Sequence, residues 1–332
     1  MNGCHVVARR VLAAAGLLGA LCAFATSASA QTAAPGWPQR PVKFILPFGA
    51  GSATDAAARL MSDKLAARWG KPVVIENKPG GAGLVAIGAF VSANDDHVLL
   101  YASSASFNAH SYMHEKLPYV LERDLAPIAR VTDTILTASI PATLKPTTLA
   151  ELVALARAEP NTLNAAGAAG VPEFTLGYFL KVHNLAVTKV PYRDIVQAAT
   201  HLAGGQIQFL LSSAAIVRAP SEAGKVRILA VTSRERVSFA PDVPTIYEAG
   251  FPALAVETTA GLYGPSSMPR ELRERLSKDV IAVVSDPVIT ERLVATGQAI
   301  NTGGPDELAK TLRQQAEQMA TVAKELGLKA GK

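Results

Sequence analysis

Val42-Lys-Phe-Ile-Leu-Pro-Phe48, followed by Gly49-Ala-Gly-Ser-Ala-Thr-Asp55, is the stretch on which the predicted fold of this 332-residue chain depends. Its first half is apolar and rich in β-branched and aromatic residues, which predicts a buried strand. Its second half is a small-residue loop whose serine and threonine can cap a helix predicted to run to Trp69. A helix that begins where a buried strand ends points free N–H groups and a partial positive charge into the space beyond, so the stretch predicts an anion site.

The same alternation continues along the first part of the chain. A second strand is predicted at Lys71–Glu76, a small-residue helix at Leu84–Ala93 and a third strand at His97–Tyr101. Strands that alternate with helices at this spacing form right-handed crossovers and a parallel sheet. Residues 107–127 contain two proline signals and are predicted to be poor in helix.

A second block of strands and helices is predicted after Ile128–Ile140, a stretch long enough to cross between domains. In this block a small-residue loop at Ala165–Pro172 leads into a helix, as the first loop does. Glu257–Gly264 is a strand that could return to the first block. We therefore predict an α/β fold of two blocks, each a mixed or parallel sheet flanked by helices, with a ligand cleft between them.

The first thirty residues have the features of a cleavable signal peptide. Arg9 and Arg10 form a basic region, Val11–Ala25 is apolar, and Ala28-Ser-Ala30 has the small-x-small form of a cleavage site, so cleavage is predicted after Ala30. The apolar run is too short for a membrane anchor, which needs about 20 apolar residues. The arginine pair leaves both the Sec and the twin-arginine routes open, and either route predicts a periplasmic protein.

Export changes what the composition implies. Both cysteines of the chain, Cys4 and Cys22, lie in the predicted signal peptide, so no disulfide or cysteine metal site is expected in the mature chain. Loss of Arg9 and Arg10 lowers the formal net charge from +5 to +3. This mild charge gives no reason to expect nucleic acid as a partner.

Two enzyme hypotheses compete with a simple binding site. Gly49-x-Gly51 opens a helix and Glu76 ends the next strand, as in a dinucleotide site, but Thr54 stands where the third glycine is required. Ser52 lacks the Gly-x-Ser-x-Gly arrangement of a nucleophilic serine, and a helix cap is the favoured interpretation. We predict neither a catalytic residue nor a cofactor.

Four further side chains have more than one interpretation. His110 and His114 are four residues apart, as in a helical metal pair, but Pro118 limits any helix and surface histidines are favoured. Asp55 suits a helix N-terminus, where it is either a cap or a ligand contact. Tyr192 either reaches the cleft or packs near its wall, and packing is favoured. No metal site is predicted.

Several short motifs, in order from Trp37 to the C-terminus, carry a resemblance to a known family. They are Trp37-Pro-x-x-Pro-Val, Pro47-Phe48 with Asp55 and Ala58-Arg59, Glu76-Asn-Lys-Pro-Gly80, Leu117-Pro-Tyr119, Val190-Pro-Tyr192, Gly204-Gly-Gln206, Ala223-Gly-Lys225 with Leu229-Ala-Val231, Asp242-Val-Pro-Thr with Glu248-Ala-Gly250, and Gly261-Leu with Pro265. Through the order and spacing of these motifs the chain resembles the Bug family, which comprises the TctC-like periplasmic solute-binding receptors of the tripartite tricarboxylate transporter.

The resemblance implies a two-lobed fold similar to type II periplasmic binding proteins, which closes on a small organic acid. Lobe 1 would comprise residues 31–134 and 253–332, and lobe 2 residues 135–252, after a signal peptide at residues 1–30. The receptor is expected to be a monomer that delivers its ligand to the membrane permease subunits of the transporter. An extracytoplasmic sensor or adaptor for a receptor kinase stays an alternative, and a nucleotide-dependent enzyme is the less favoured one.

The resemblance also implies a binding site formed by two loops. The first loop holds one carboxylate through backbone groups and water, and the second holds a carboxylate more directly. The implied site residues are Phe48, Gly49, Ala50, Gly51, Ser52, Asp55, Ser103, Ser104, Ala168, Gly170, Val171, Phe174, Tyr192 and Ser212. The second loop lacks the hydroxyls and histidine usual in the family, so we expect a ligand that is less polar at that end, such as an aromatic or monocarboxylic acid.

Overall fold

The computed structural model describes residues 36–168, 170–192 and 194–331. The predicted signal peptide and its cleavage after Ala30 lie outside the described residues. Residues 40–332 form one compact unit, to which every helix and strand named below belongs. Among the described helices, none has the length and apolar character that a membrane span requires.

Strands and helices alternate through most of the chain. The strands are β1 Val42–Leu46, β2 Val73–Asn77, β3 Val98–Ser103, β4 Leu125–Thr134, β5 Leu136–Pro141, β6 Asn164–Gly167, β7 Thr188–Lys189, β8 Phe209–Ser213, β9 Val226–Val231, β10 Thr258–Pro265 and β11 Gln298–Gly303. The helices are α1 Ala53–Trp69, α2 Leu84–Ala93, α3 Ser104–Met113, α4 Leu121–Asp124, α5 Leu149–Ala158, α6 Val171–Val182, α7 Ile195–Ala203, α8 Ala214–Glu222, α9 Arg270–Val284, α10 Pro287–Ala295 and α11 Pro305–Leu326. Short 3-10 helices lie at Gly81–Gly83 and Pro252–Leu254.

The strands form two mixed sheets. The first has the order β11-β4-β10-β3-β1-β2, in which β1 is parallel to β2 and β3 while β10 is antiparallel to β3 and β4. The second has the order β7-β6-β8-β5-β9, in which β6 is parallel to β7 and β8 while β5 is antiparallel to β8 and β9. The predicted α/β fold of two sheets flanked by helices is confirmed.

The chain passes from the first sheet to the second through a single residue. Ile135 separates β4 from β5; it is 5% exposed, and it bonds through its N–H to the Gly297 carbonyl and through its carbonyl to the Ala214 N–H. The predicted crossing strand is therefore confirmed, although the structure divides it into two strands at this residue. The chain returns between β9 and β10, and the lobe boundaries proposed above stay a prediction.

Each sheet has its own apolar core. In the first, Phe90 of α2, Phe107 of α3 and Leu308 of α11 pack on β3 and β10. In the second, Leu152 of α5 and Phe179 of α6 pack on β5 and β8. These helices cover the sheets because their apolar residues recur on one face. Each sheet is therefore covered by its own set of packed helices.

Two predictions for residues 107–127 were wrong. Ser103 accepts a hydrogen bond from Ala105 N and so caps α3, which continues to Met113 despite the prolines that follow. His110 on this helix is fully buried rather than on the surface. Its Nδ1 lies 2.8 Å from Tyr119 Oη and its Nε2 lies 3.0 Å from the Ala82 carbonyl oxygen, so both ring nitrogens have partners. The pair with His114 therefore has no role as a metal site.

Candidate functional site

The strand register shows which edges of the two sheets face each other. Ser103 at the end of β3 pairs with Ala260 of β10, and Thr134 at the end of β4 pairs with Thr258 of the same strand. Both strands therefore end at the same edge of the first sheet. In the second sheet, Ser213 at the end of β8 pairs with Leu136 at the start of β5. Because β4 leads directly into β5, the carboxyl ends of β3 and β8 lie at the two facing edges.

Four helices begin at these facing edges. Helices α1 and α3 follow the parallel strands β1 and β3, and α6 and α8 follow the parallel strands β6 and β8. We call the region that their N-termini share the front cleft. Unpaired N–H groups and the helix dipoles make such N-termini attractive to anions.

Three of these four helices are capped by serine and the fourth is not. The hydroxyls of Ser52, Ser103 and Ser213 accept hydrogen bonds from the first turns of α1, α3 and α8. The residue that precedes α6 is Gly170, which has φ 93° and offers no side chain. In the first turn of α6, Pro172 has no N–H and Glu173 N bonds to the Ala168 carbonyl oxygen, so the N–H of Val171 is the group that a bound anion could reach.

The first loop is held at both ends by a side-chain network that we call the loop clamp. Asp55, which is 2% exposed, accepts hydrogen bonds from Gly51 N at 2.9 Å and from Arg59 Nε at 3.0 Å. Asn77 Nδ2 donates to Asp55 Oδ1 and to the Phe48 carbonyl oxygen, both at 2.9 Å. The carboxylate of Asp55 therefore contacts the loop and its neighbours and fixes the shape of the loop.

The charge of Asp55 is stabilised by the same network. Burial opposes ionisation, but the hydrogen bonds from Arg59, the Gly51 N–H and Asn77 outweigh it and hold the pKa of Asp55 below its ordinary value. Among the predicted site residues, Asp55 is the one that carries a charge near neutral pH. Its pairing with Arg59 offsets a negative charge that would otherwise repel an anion at the loop.

The second loop is shaped by its own backbone. Ala168 N donates to the Leu211 carbonyl oxygen at 3.1 Å, and Glu173 N donates to the Ala168 carbonyl oxygen at 3.0 Å. A Cβ atom placed on Gly167 would lie 2.8 Å from Glu173 Cα, so this position requires glycine. A Cβ atom placed on Gly170 would lie 3.7 Å from the Ala105 carbonyl oxygen on α3. Gly170, which belongs to the second sheet's loop, therefore lies against α3 of the first sheet.

The structure brings most of the predicted site residues to the front cleft. The two loops, with Phe48, Gly49, Ala50, Val171 and Phe174 exposed or half-buried, begin α1 and α6, and Ser103 caps α3. Ser104 is fully buried and accepts from Thr259 N at 3.0 Å. Ser212 is also fully buried, with no hydrogen-bond partner for its hydroxyl in the described part of the chain. Assignment of these residues to a ligand stays a prediction.

Tyr192 differs from the other predicted site residues. Its hydroxyl lies 2.8 Å from His201 Nδ1 on α7, and it packs against an apolar cluster that includes Ala198 and Leu202. Its place at the wall of the cleft stays a prediction.

Sequence reasoning missed Asn77 and Arg59 as parts of the site. Arg59 stands four residues after Asp55, which places both side chains on one face of α1. Asn77 ends β2, the direct neighbour of β1, so its position beside the first loop follows from the pairing of Leu46 with Asn77. The strand order signals this proximity, but the spacing along the chain does not.

One group of side chains in the described residues has the composition of a metal site. Asp95, Asp96 and His97 place ligand atoms within 4.8 Å of one another. They precede β3 and therefore lie at the opposite edge from Ser103, and Asp95 is already paired with Arg40. The group has no connection with the front cleft.

Comparison with known proteins identifies the family. The family described as "Tripartite tricarboxylate transporter family receptor" matches residues 57–328. A UPF0065 protein of Bordetella bronchiseptica is 31% identical over 290 residues, covering 87% of this chain and 85% of that protein. Protein BugT of Bordetella pertussis is 28% identical, covering 96% and 98% of the two chains.

Solved structures agree with the family match. MatC of Rhodopseudomonas palustris with bound malate has a TM-score of 0.75 at 25% identity and covers 86% of this chain and 99% of its own. Rpa4515 of R. palustris with adipate has a TM-score of 0.79 at 25% identity, with 88% and 99% coverage. The proteins found are periplasmic binding proteins rather than enzymes, which confirms the prediction of a receptor without catalysis. The chain belongs to the family of tripartite tricarboxylate transporter receptors.

Proposed function

We propose that this periplasmic solute-binding protein captures a small organic carboxylate in the front cleft and delivers it to the permease subunits of a tripartite transporter. The observation that carries the proposal is that α6 begins at Gly170 without a side-chain cap, while the other three helices at the front cleft are capped by serine. A carboxylate there would accept a hydrogen bond from Val171 N, because Glu173 N already bonds to the Ala168 carbonyl oxygen. MatC and Rpa4515, which hold malate and adipate, support a carboxylate as the ligand class.

The walls of the second loop favour a ligand with limited polarity. Ala168, Gly170, Val171 and Phe174 offer no hydroxyl and no charge, and the charged residue in the first turn of α6 is Glu173. An acid bound through backbone groups alone has fewer charge-assisted hydrogen bonds than one held by charged or hydroxyl side chains. We therefore propose a monocarboxylic or aromatic acid over a citrate-like tricarboxylate.

A screen for thermal stabilisation tests the ligand class. The protein is heated with malate, adipate, benzoate and citrate in turn, since a ligand at about 100 times its Kd stabilises the fold by roughly 2.7 kcal/mol. We expect benzoate or another monocarboxylate to raise Tm more than citrate does. A larger shift with citrate would contradict the proposed polarity, and no shift with any of a broad panel of acids would contradict the carboxylate receptor itself.

Substitution Val171→Pro tests the uncapped helix directly. Proline is accepted at the first position of a helix and removes only its N–H. The matched control is Arg270→Pro, at the first position of α9, which follows β10 at the far edge of the first sheet. We expect Val171→Pro to weaken binding of the acid found in the screen by at least tenfold and Arg270→Pro to leave it unchanged. Equal affinities in all three proteins would remove the start of α6 from the site.

A further inference from the structure

A cavity of about 550 Å³ lies beside the crossing between the two sheets. Its walls come from both lobes and include Ile135, the segment 232–239 after β9, and residues 298–301 of β11. In the first sheet β11 and β3 lie on opposite sides of β4, and in the second sheet β9 and β8 lie on opposite sides of β5. The cavity is therefore separated from the front cleft by the crossing strands, and we call it the rear cavity.

Because of its position, the rear cavity should narrow when the front cleft widens. The lobes are joined through Ile135, and the front is closed at Gly170, where α6 meets α3. A rotation about the crossing that separates the front walls brings the rear walls together. A molecule that fills the rear cavity would therefore oppose opening of the front, by binding the closed arrangement more tightly than the open one.

The rear cavity combines apolar walls with balanced charge. Ile135, Val237, Phe239 and Val256 supply apolar surface from both sides. Three arginines and three acidic residues also line it, so the lining as a whole is neutral; they are Arg130, Arg234, Arg236, Asp133, Glu235 and Glu257. Such a lining suits an amphipathic ligand without net charge, and the volume lies within the range of small-molecule sites.

Two of the charged residues retain hydrogen-bonding capacity. Arg234 donates to Glu257 Oε1 at 2.9 Å through Nε alone, and within the described residues its two terminal nitrogens have no hydrogen-bond partner. The neighbouring Glu235 carboxylate has no ion pair in the same part of the chain. Guanidinium nitrogens bind a carboxylate in bidentate fashion, and a free carboxylate binds an ammonium group.

We propose that the rear cavity binds an α-amino acid with an apolar side chain and that its occupancy favours the closed front cleft. The carboxylate of the amino acid is held by Arg234, its ammonium group by Glu235, and its side chain by the apolar walls. The effect on the front cleft rests on the proposed carboxylate binding, but occupancy of the rear cavity does not. By reciprocity, the acid in the front and the amino acid in the rear raise each other's affinity by the same factor.

The experiment measures binding of L-phenylalanine by calorimetry, alone and with saturating adipate. We expect phenylalanine to bind in the absence of adipate and to bind about fivefold or more tightly in its presence. Phenethylamine, which lacks the carboxylate, should bind at least tenfold more weakly. Equal binding of phenethylamine, or no binding of phenylalanine, would overturn the proposal. If adipate fails to bind, the phenylalanine titration alone still tests the rear site.

Variants distinguish the rear cavity from the front cleft. Glu235→Gln should weaken phenylalanine binding at least tenfold, while the exposed Glu271→Gln on α9 should not change it. Val171→Pro should leave phenylalanine binding intact. Loss of binding in Val171→Pro with retention in Glu235→Gln would assign phenylalanine to the front cleft and overturn the proposal.

A cavity-filling variant tests the mechanical coupling without the amino acid. Ser238 is exposed and lines the rear cavity, so tryptophan at this position can occupy part of the space. Ser238→Trp should slow adipate release several-fold and abolish phenylalanine binding, while Ser238→Ala should do neither. Faster adipate release in Ser238→Trp would contradict the inferred direction of the coupling.

Discussion

The two loops of the front cleft reach similar positions by different means. The first, Gly49–Asp55, is held by side chains, because Asp55 and Asn77 bond to its backbone at both ends. The second, Ala168–Phe174, is held by backbone hydrogen bonds and by the absence of side-chain atoms at Gly167. Loss of a polar group should therefore destabilise the first loop, and addition of a methyl group should destabilise the second.

Gly167→Ala should have the largest effect, since its Cβ would overlap the backbone of Glu173. Backbone cannot move aside as a flexible side chain does, so we expect a loss of about 3 kcal/mol in unfolding free energy, the upper part of the range for overpacking. Urea denaturation measures this loss. The control is Gly49→Ala, where nothing lies within 4 Å of the added Cβ. Comparable losses of unfolding free energy in both variants would contradict the inference that the second loop is held by the absence of a side chain at Gly167.

Asp55→Asn should have the second-largest effect on stability, because it removes the charge at the centre of the loop clamp. We expect a loss of about 2 kcal/mol, within the range for a broken buried hydrogen-bond group, together with weaker binding of the acid. Asp286→Asn is the control: Asp286 caps α10, accepting from Val288 N, and lies outside the front cleft. Asparagine caps a helix about as well as aspartate does, so this variant should keep both its stability and its affinity.

The pH dependence of this variant follows from the lowered pKa of Asp55. The ionised carboxylate contributes stability that is fully present above its unfolded pKa of about 3.9 and is lost as pH falls through its lower folded pKa. The stability difference between wild type and Asp55→Asn should therefore be constant near neutral pH and shrink in acid. A difference that persists below the folded pKa would show that Asp55 acts without its charge.

Ser52→Ala should have a smaller effect. The Ser52 hydroxyl accepts from Asp55 N at 3.2 Å, and loss of such a cap costs about 1 kcal/mol. Thr148 makes the same contact with Glu151 N at 3.2 Å on α5, so Thr148→Ala is a matched control. Both variants should lose similar stability in urea denaturation, but affinity for the acid should fall in Ser52→Ala alone. Equal affinities of the two variants for the acid would show that the Ser52 cap contributes to stability but not to binding.

His110→Asn is tested by its pH dependence: near neutral pH it loses the buried hydrogen bonds to Tyr119 and Ala82, and its stability difference from wild type should shrink in mild acid. Burial lowers the pKa of His110 below 6.5, partly opposed by the Ala82 carbonyl and assisted by the nearby His114. Neutral His110 thus contributes stability that is present above the unfolded pKa and is lost as pH falls through the folded pKa. Urea denaturation at several pH values below 7 should show a shallower loss in His110→Asn than in wild type. The same dependence of unfolding free energy on pH in both proteins would contradict a stabilising role of neutral His110.

The periodic parts of the chain were predictable from the sequence. The strand at Val42, the helix to Trp69 and the helix at Leu84–Ala93 were predicted within a few residues, because small and apolar residues and capping residues act locally. Helices α3, α4 and α8 and strand β11 were missed. Helix α8 contains Pro220, and β11 has a mixed polar pattern, so both depend on packing against neighbouring elements.

The sequence by itself determined the signal-peptide prediction, the α/β class and the two small-residue loops, since each depends on residues close together in the chain. Only the tertiary structure decided that Asn77 joins the loop clamp, that His110 is buried, and that α6 is the uncapped helix among four. These facts depend on strand order, which brings residues distant in the chain into contact. The front cleft is therefore visible in the sequence as two loops, but its hydrogen bonds and the rear cavity are products of the fold.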